Sequence, residues 1–111
     1  MKRHYLGELE ELILLTIAAI REPAYGVNIL QELERQTARN IDFSTVHTTL
    51  KRLEEKGFLL SEMGGATSER GGRRKRFFEI TTEGVQALRE NQMMRNKLWS
   101  LVPQNIQMKG I

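Results

Sequence analysis

Five cationic side chains lie within seven residues of this chain, in the segment Arg70-Gly71-Gly72-Arg73-Arg74-Lys75-Arg76. Cations this close repel one another, so the arrangement favours an anionic partner that neutralises them. Lys and Arg side chains bind phosphate groups, and each phosphate contact with DNA releases counterions and makes binding dependent on salt. The segment therefore predicts a phosphate-binding loop. The alternatives are a loop that only aids solubility and an anionic membrane surface, although no apolar anchor accompanies the charge.

A second set of polar residues lies upstream, on one side of a predicted helix. Val46, Leu50 and Leu53 mark the apolar face of this helix at about 100° per residue. The remaining faces carry hydroxyl groups, an imidazole and cations, at Ser44, Thr45, His47, Thr48, Lys51 and Arg52. Such groups suit the major groove of DNA because they bind both phosphates and base edges. The alternative is an ordinary solvated helix face.

Residue types that support catalysis or metal binding are sparse in this chain. Asp42, Ser44 and His47 form the only cluster of Asp, Ser and His, and helix capping explains the first two. No third group completes a nucleophilic triad. The sequence has no cysteine, and neither His4 nor His47 has neighbours at metal-ligand spacing. We therefore predict a protein that is not an enzyme and needs no metal or cofactor.

Length and charge agree with a small nucleic-acid-binding protein. The 111 residues are enough for about one domain. Residues 1–56 carry eight Lys and Arg against nine Asp and Glu, whereas residues 57–111 carry nine against five. The basic excess is thus concentrated around the cationic segment. The longest apolar run, from Leu12 to Ile20, is far shorter than the roughly 20 residues of a membrane span. We predict a cytoplasmic protein with no membrane partner.

Apolar periodicity predicts three helices before the cationic segment. The first begins at Glu8 and ends before Pro23. It is apolar almost all the way round, because Leu14, Leu15 and Ala18 widen its buried face. Such a helix is buried on more than one side. It is either a central core helix, or its second side packs on another subunit. The second helix is predicted from about Ala24-Tyr25-Gly26 to about Arg39. The third is capped by Ser44 or Asp42 and ends at Gly57.

Two runs of strand-forming residues, from Phe58 to Glu62 and from Phe77 to Thr81, flank the glycine-containing segment and predict a hairpin. Thr81 or Thr82 then caps a last helix that runs towards Pro103. The predicted fold is mainly α with a two-stranded β-wing, a winged helix-turn-helix in the order ααα-ββ-α. Residues 1–82 would form the DNA-binding domain, and residues 83–111 a C-terminal dimerisation helix and tail.

The last helix carries two apolar stripes, which is more than its own domain can cover. Val85 and Leu88 form one stripe, and Met94, Leu98, Leu101 and Val102 form the other. A partner helix in a two-fold dimer would bury the second stripe. Trp99 is open to three readings: core packing, an interface anchor, or the wall of a pocket for an apolar compound between subunits. The predicted dimer interface comprises Leu14, Met94, Leu98, Trp99 and Leu101.

Four segments of the chain, in order, resemble the PadR family of bacterial transcription regulators. They are Gly7-Glu8-Leu9-Glu10-Glu11-Leu12-Ile13-Leu14, Ala24-Tyr25-Gly26, the run from Ser44 to Gly57, and the run from Gly71 to Thr81. The resemblance implies a winged-helix DNA-binding domain, usually a repressor, that forms homodimers through its terminal helices and binds palindromic operators. It assigns DNA contacts to Tyr25, Ser44, Thr45, His47, Thr48, Lys51, Arg73, Arg74 and Lys75.

This sequence departs from the family pattern at two places. His47 stands where the family usually has tyrosine, and Phe77-Phe78 stands where two tyrosines are common. The short sequence after the last helix resembles the family's short branch. We predict a transcriptional repressor that binds double-stranded DNA as a homodimer. The alternatives are a regulator released from DNA by a small apolar effector at the dimer interface, and a protein-interaction winged helix that does not bind DNA.

Overall fold

The computed structural model describes residues 5–64 and 74–110. The predicted order of helices and hairpin strands is confirmed, and the fold is mainly helical with a small antiparallel sheet. The elements are α1 Glu8–Ala19, β1 Ala24–Tyr25, α2 Gly26–Thr37, α3 Phe43–Glu55, β2 Leu59–Met63, β3 Arg76–Ile80, α4 Thr82–Ser100 and α5 Gln104–Gln107, followed by a 3-10 turn, Met108–Gly110.

The sheet has three strands rather than the predicted two, in the order β1-β3-β2. Ala24 is paired with Phe78 and Tyr25 with Phe77, so α2 begins at Gly26, the last residue of the stretch Ala24-Tyr25-Gly26 in which its start is predicted. Tyr25 has an extended backbone, and its N–H donates a 2.8 Å hydrogen bond to Asn28 Oδ1 at the start of α2. A two-residue strand whose partner lies more than fifty residues away leaves no periodic signal in the local sequence.

The core lies between α1, α2, α3 and one face of the sheet. Its fully buried side chains are Ile13, Leu14, Ile29, Leu33, Val46, Leu50, Leu53 and Leu59. The prediction that Leu14 lies at a dimer interface is wrong, because its side chain has no exposed surface. Elements of the same chain surround α1 on that side, and Leu15, which is 47% exposed, faces outward instead.

The start of α1 and the end of α2 are joined by an exposed ion pair. Arg39 Nη2 donates a 2.8 Å hydrogen bond to Glu8 Oε2. This hydrogen bond and the attraction between the charges lower the pKa of Glu8 and raise that of Arg39. Helix α2 ends at Thr37, two residues before its predicted end, because Ala38 adopts the left-handed conformation at φ 57°.

A compact joint connects the end of α3 to the start of α4. Gly57, at φ 85°, follows α3, and the Thr81 hydroxyl donates to its carbonyl oxygen at 2.7 Å. The same hydroxyl oxygen accepts from the Gly84 N–H at 3.0 Å, so Thr81 is the predicted N-cap. A Cβ on Gly84 would lie 2.4 Å from the Phe58 carbonyl oxygen. Only glycine allows α4 to start this close to the chain that leaves α3.

Helix α4 packs on the rest of the molecule mainly through its first half. Gly84, Ala87 and Asn91 are buried, and Arg95 Nη2 donates a 2.8 Å hydrogen bond to Glu11 Oε1 on α1. All residues from 92 to 100 are exposed. The radius of gyration is 16.9 Å, against about 13 Å for a compact chain of about 100 residues. Within the described ranges no helix is long and apolar enough to cross a bilayer.

Candidate nucleic-acid interface

Helix α3 presents its predicted polar face to solvent. Val46, Thr49, Leu50 and Leu53 are buried at positions i, i+3, i+4 and i+7, which fixes the rotation of the helix. The side chains on the other faces are therefore exposed, at Ser44, Thr45, His47, Thr48, Lys51 and Arg52. Asp42, not Ser44, is the N-cap, and Ser44 lies inside the first turn. These six residues form what we call the α3 polar face.

The hydroxyl groups of this face have defined hydrogen-bonding roles. Thr48 Oγ1 donates to the Ser44 carbonyl oxygen at 2.9 Å. Its proton is thus engaged by the backbone, while the lone pairs of its oxygen remain available to accept. In this arrangement the Thr48 hydroxyl has no free proton to donate, but its oxygen can still accept a hydrogen bond from an amino group.

The cations in the second half of α3 and just after it differ in availability. Lys56, just after the helix, donates to both carboxylate oxygens of Glu10 at 2.9 Å, and the Glu10 side chain is only 8% exposed. This pair holds α1 against α3. Lys51 and Arg52 form no ion pair with another described residue. Their charges are available to an external anion.

Tyr25 links the wing to the helix-turn-helix. Its ring meets Phe77 edge-on at 5.8 Å between centroids, with an interplanar angle of 81°. Lys75 Nζ lies 4.1 Å from the centroid of the same ring, a cation–π contact. The predicted DNA-contacting residues Tyr25 and Lys75 are therefore brought together. This contact holds the Lys75 ammonium group beside the first residues of α2.

The cations of the wing divide into two groups. Arg76 Nη1 donates to Ser61 Oγ at 2.9 Å, and that hydroxyl donates to Glu54 Oε2 on α3 at 2.7 Å. Arg76 thus ties the base of the wing to the end of α3. Arg74 and Lys75 are exposed beyond it. Arg73, also predicted to contact DNA, lies outside the described residues, as does the predicted loop from residue 65 onward.

Phe43 is a surface residue of α3 that the sequence reading missed. It is the first residue of the helix, 47% exposed, and its ring stacks on His47 at 6.4 Å between centroids and 24° between planes. An aromatic ring is not among the polar side chains that the sequence pattern of α3 singles out. The available signal was its position four residues before His47, which places both on one helix flank.

The predicted interface residues of α4 are all exposed within one chain. Met94 is 52% exposed, Leu98 58%, Trp99 64% and Leu101 69%. Core packing of Trp99 within its own chain is therefore excluded. Met94, Leu98 and Leu101 are spaced i, i+4 and i+7, which places them on one side of the helix.

A helix-turn-helix whose second helix exposes a polar face, followed by a basic β-hairpin and a further helix, defines the winged-helix class. The family model described as "Transcriptional regulator PadR-like family" matches residues 13–90, most of the chain. The chain belongs to this family of transcriptional regulators. Among curated protein sequences, none matches it.

Several solved structures share this fold. A PadR family transcriptional regulator from Eggerthella lenta DSM 2243 is 28% identical, over 92% of this chain and 88% of that chain, with a TM-score of 0.69. A PadR family regulator from Clostridium difficile R20291 is 22% identical, over 90% and 99%, with a TM-score of 0.71. Bacillus subtilis PadR, solved in complex with operator DNA, is 19% identical, over 87% and 49%, with a TM-score of 0.62.

Proposed function

We propose that this protein is a DNA-binding transcriptional repressor that acts as a homodimer on a palindromic operator. In each subunit α3 lies in the major groove and reads bases, while the wing holds phosphates of the adjacent backbone. The observation that carries the proposal is the α3 polar face beside a wing whose Lys75 is held against Tyr25. Family membership supports a regulator rather than an enzyme.

DNA contacts are proposed for the residues assigned from the sequence. Ser44, Thr48 and Lys51 share the centre of the exposed face of α3, and Thr45 and His47 lie on its flanks. Arg73, Arg74 and Lys75 of the wing bind phosphates, and Tyr25 supports them. Bacillus subtilis PadR, which has this fold, was solved with operator DNA. That complex supports the same use of the fold in this chain.

The proposed dimer forms through α4. Its exposed stripe of Met94, Leu98 and Leu101, with Trp99 beside it, is an apolar surface that an antiparallel second copy would bury. Residues 1–82 then form the DNA-binding domain, and residues 83–111 form the dimerisation helix and tail. Two identical DNA-binding domains related by a two-fold axis require a palindromic site. Repression follows where such a site overlaps a promoter.

The test is selection of bound fragments from genomic DNA by the purified protein. A recovered palindrome would support both DNA reading and two-fold symmetry. With this operator, Arg74→Ala with Lys75→Ala should lower the slope of log affinity against log salt by about two, one for each phosphate contact. The matched control is Arg35→Ala with Arg89→Ala, which removes the same charge elsewhere and should leave the slope unchanged.

Thr48→Ala should have a different effect, changing the preference between operator sequences rather than the salt slope. Failure to retain any DNA would instead favour a winged helix that binds only proteins. An operator without two-fold symmetry would contradict the dimeric mode of reading.

A small-molecule effector is a second candidate function, favoured by the exposed Met94 and Trp99 side chains near the end of α4. Thioether and aromatic groups adapt to planar apolar compounds, which would bind between two copies and release DNA. Titration of Trp99 fluorescence with a panel of such compounds tests this role. Unchanged fluorescence across the panel would count against it.

A further inference from the structure

Phe43 serves neither the core nor the cap of its helix. Asp42 is the N-cap, and the Phe43 side chain remains 47% exposed at the first position of α3. Single exposed apolar residues are common on protein surfaces, so exposure alone decides nothing. Here, however, the residue precedes Ser44 and stacks on His47 of the α3 polar face, the surface proposed to read bases. Its position within that surface makes it a candidate for base contact.

The Phe43 ring is held in place before any ligand arrives. One side stacks on the His47 imidazole, with 6.4 Å between centroids. At another side the ring fills the space that a side chain on Gly26 would need. A Cβ there would lie 2.9 Å from Phe43 Cε1 and 3.0 Å from Cζ. A ring fixed by two neighbours loses little conformational freedom when it makes a further contact.

The dipeptide Tyr25-Gly26 connects the Phe43 ring to the wing. Gly26 lies against the Phe43 ring, and Lys75 Nζ lies 4.1 Å from the centroid of the preceding Tyr25 ring. A phosphate-binding cation is therefore linked to the aromatic ring through two adjacent residues. In the proposed complex, with Lys75 on a phosphate and α3 in the major groove, the DNA would exclude water from the exposed part of the Phe43 ring. An apolar group on the DNA is then the favoured contact for this ring.

We propose that Phe43 is a specificity-determining residue that contacts the 5-methyl group of a thymine in the major groove. The first residues of a recognition helix meet base edges. Among the groups that base pairs present in the major groove, the thymine methyl is the apolar one. This inference rests on the proposed DNA-binding function and adds a base preference to it.

The experiment uses the full-length protein and the operator obtained by genomic selection. Each thymine is replaced singly by uracil, which removes the methyl group and keeps every hydrogen-bonding atom. Wild-type protein should bind about three- to fivefold more weakly after replacement of at least one thymine in each half-site, the size expected for one buried methyl group. Because this arm needs no protein variant, it is informative even if a variant fails to fold.

Protein variants assign the effect to Phe43. Phe43→Ala should bind thymine and uracil equally at that position, and Phe43→Leu should retain part of the discrimination. Val27→Ala is the matched control, since Val27 is similarly exposed at 46% but lies on α2. It should keep the full effect. Gly26→Ala leaves Phe43 present but displaces the far end of its ring, and should reduce the discrimination.

The possible outcomes separate this inference from the function on which it rests. Tight operator binding with no uracil effect at any position would refute the role of Phe43 and leave the proposed function standing. Discrimination that persists undiminished in Phe43→Ala would refute it equally. If the protein retains no DNA at all, the proposed function fails and the inference fails with it.

Discussion

Large apolar side chains are buried in the body of the molecule, formed by α1, α2, α3 and the sheet, but exposed in the distal part of α4, residues 92–100. In the body, Ile13, Leu33 and Leu53 are at most 1% exposed. In the distal part, Met93 is 64% exposed and Trp99 64%. An isolated helix this short is marginal in water, because most helical stability comes from packing of an apolar face. Contacts within the chain therefore stabilise the body, whereas the apolar side chains of the distal part would be covered by the second copy in the proposed dimer.

The largest effect is expected from a cavity in the body. Leu53→Ala should lower the free energy of unfolding by about 2–5 kcal/mol, because it removes a fully buried side chain. Denaturant unfolding at several protein concentrations should give the same loss at each. Leu60→Ala is the control, since Leu60 is 64% exposed and should change stability by less than about 0.5 kcal/mol. Equal losses for the two variants would remove the distinction between body and surface.

A charge in the distal part should act on association instead. Leu98→Glu is expected to raise the dimer dissociation constant by about 30-fold or more, the loss of one interface anchor. Sedimentation equilibrium measures this constant. Arg89→Glu, which also places an acid on an exposed site of α4, is the control and should leave it largely unchanged. A wild-type protein that is monomeric at all concentrations would contradict the proposed interface.

Arg95 attaches the distal part of α4 to the body through its hydrogen bond with Glu11. Arg95→Ala leaves the Glu11 carboxylate, which is 11% exposed, without its cation. We expect a loss of about 1–3 kcal/mol and faster amide exchange in residues 92–100, because α4 loses an attachment to α1. Lys97→Ala, two residues further on, removes a charge that forms no ion pair with another described residue, and it should change neither quantity. If both variants behave alike, this hydrogen bond is not what attaches the distal part.

The smallest effect concerns the exposed pair of Glu8 and Arg39 within the body. The pKa of Glu8 is lowered by the Arg39 hydrogen bond and charge, so its stabilisation is fully present above the unfolded-state pKa. The stabilisation is lost as pH falls through the lower folded-state pKa. Unfolding of wild type and Glu8→Gln from neutral to acidic pH should therefore converge at low pH. High salt should also reduce the difference. Glu22→Gln provides an exposed control.

The sequence predicted those parts of the fold in which buried residues recur at a regular local spacing. The buried stripe Val46, Leu50 and Leu53 fixed the rotation of α3, so the polar face followed from it. The pairing of β1 with β3 joins distant segments through backbone hydrogen bonds, which no side-chain pattern records. Leu14 is buried and Leu15 is exposed because the other elements cover only one side of α1. A helix that is apolar all round does not indicate which side that will be.

For the candidate interface, the residue types predicted which hydroxyl groups and cations are present, but not the contacts between them. The sequence grouped Arg76 with its neighbouring cations, whereas in the structure Arg76 donates to Ser61, which in turn donates to Glu54. The sequence also gave no sign that Gly26 makes room for the Phe43 ring, because this proximity depends on how α2 and α3 cross. Predicted dimer contacts at Met94, Leu98, Trp99 and Leu101 remain predictions.

The close start of α4 at Gly84 has a consequence for the length of DNA that a dimer would span. The 19-residue helix is about 28 Å long at 1.5 Å per residue. A tilt of about 10° at its start would therefore move its far end by about 5 Å, more than the 3.4 Å rise of one base pair. Gly84 sits where a single methyl group would meet the Phe58 carbonyl oxygen. In a dimer joined through α4, this one missing side chain would set the number of base pairs between the two half-sites.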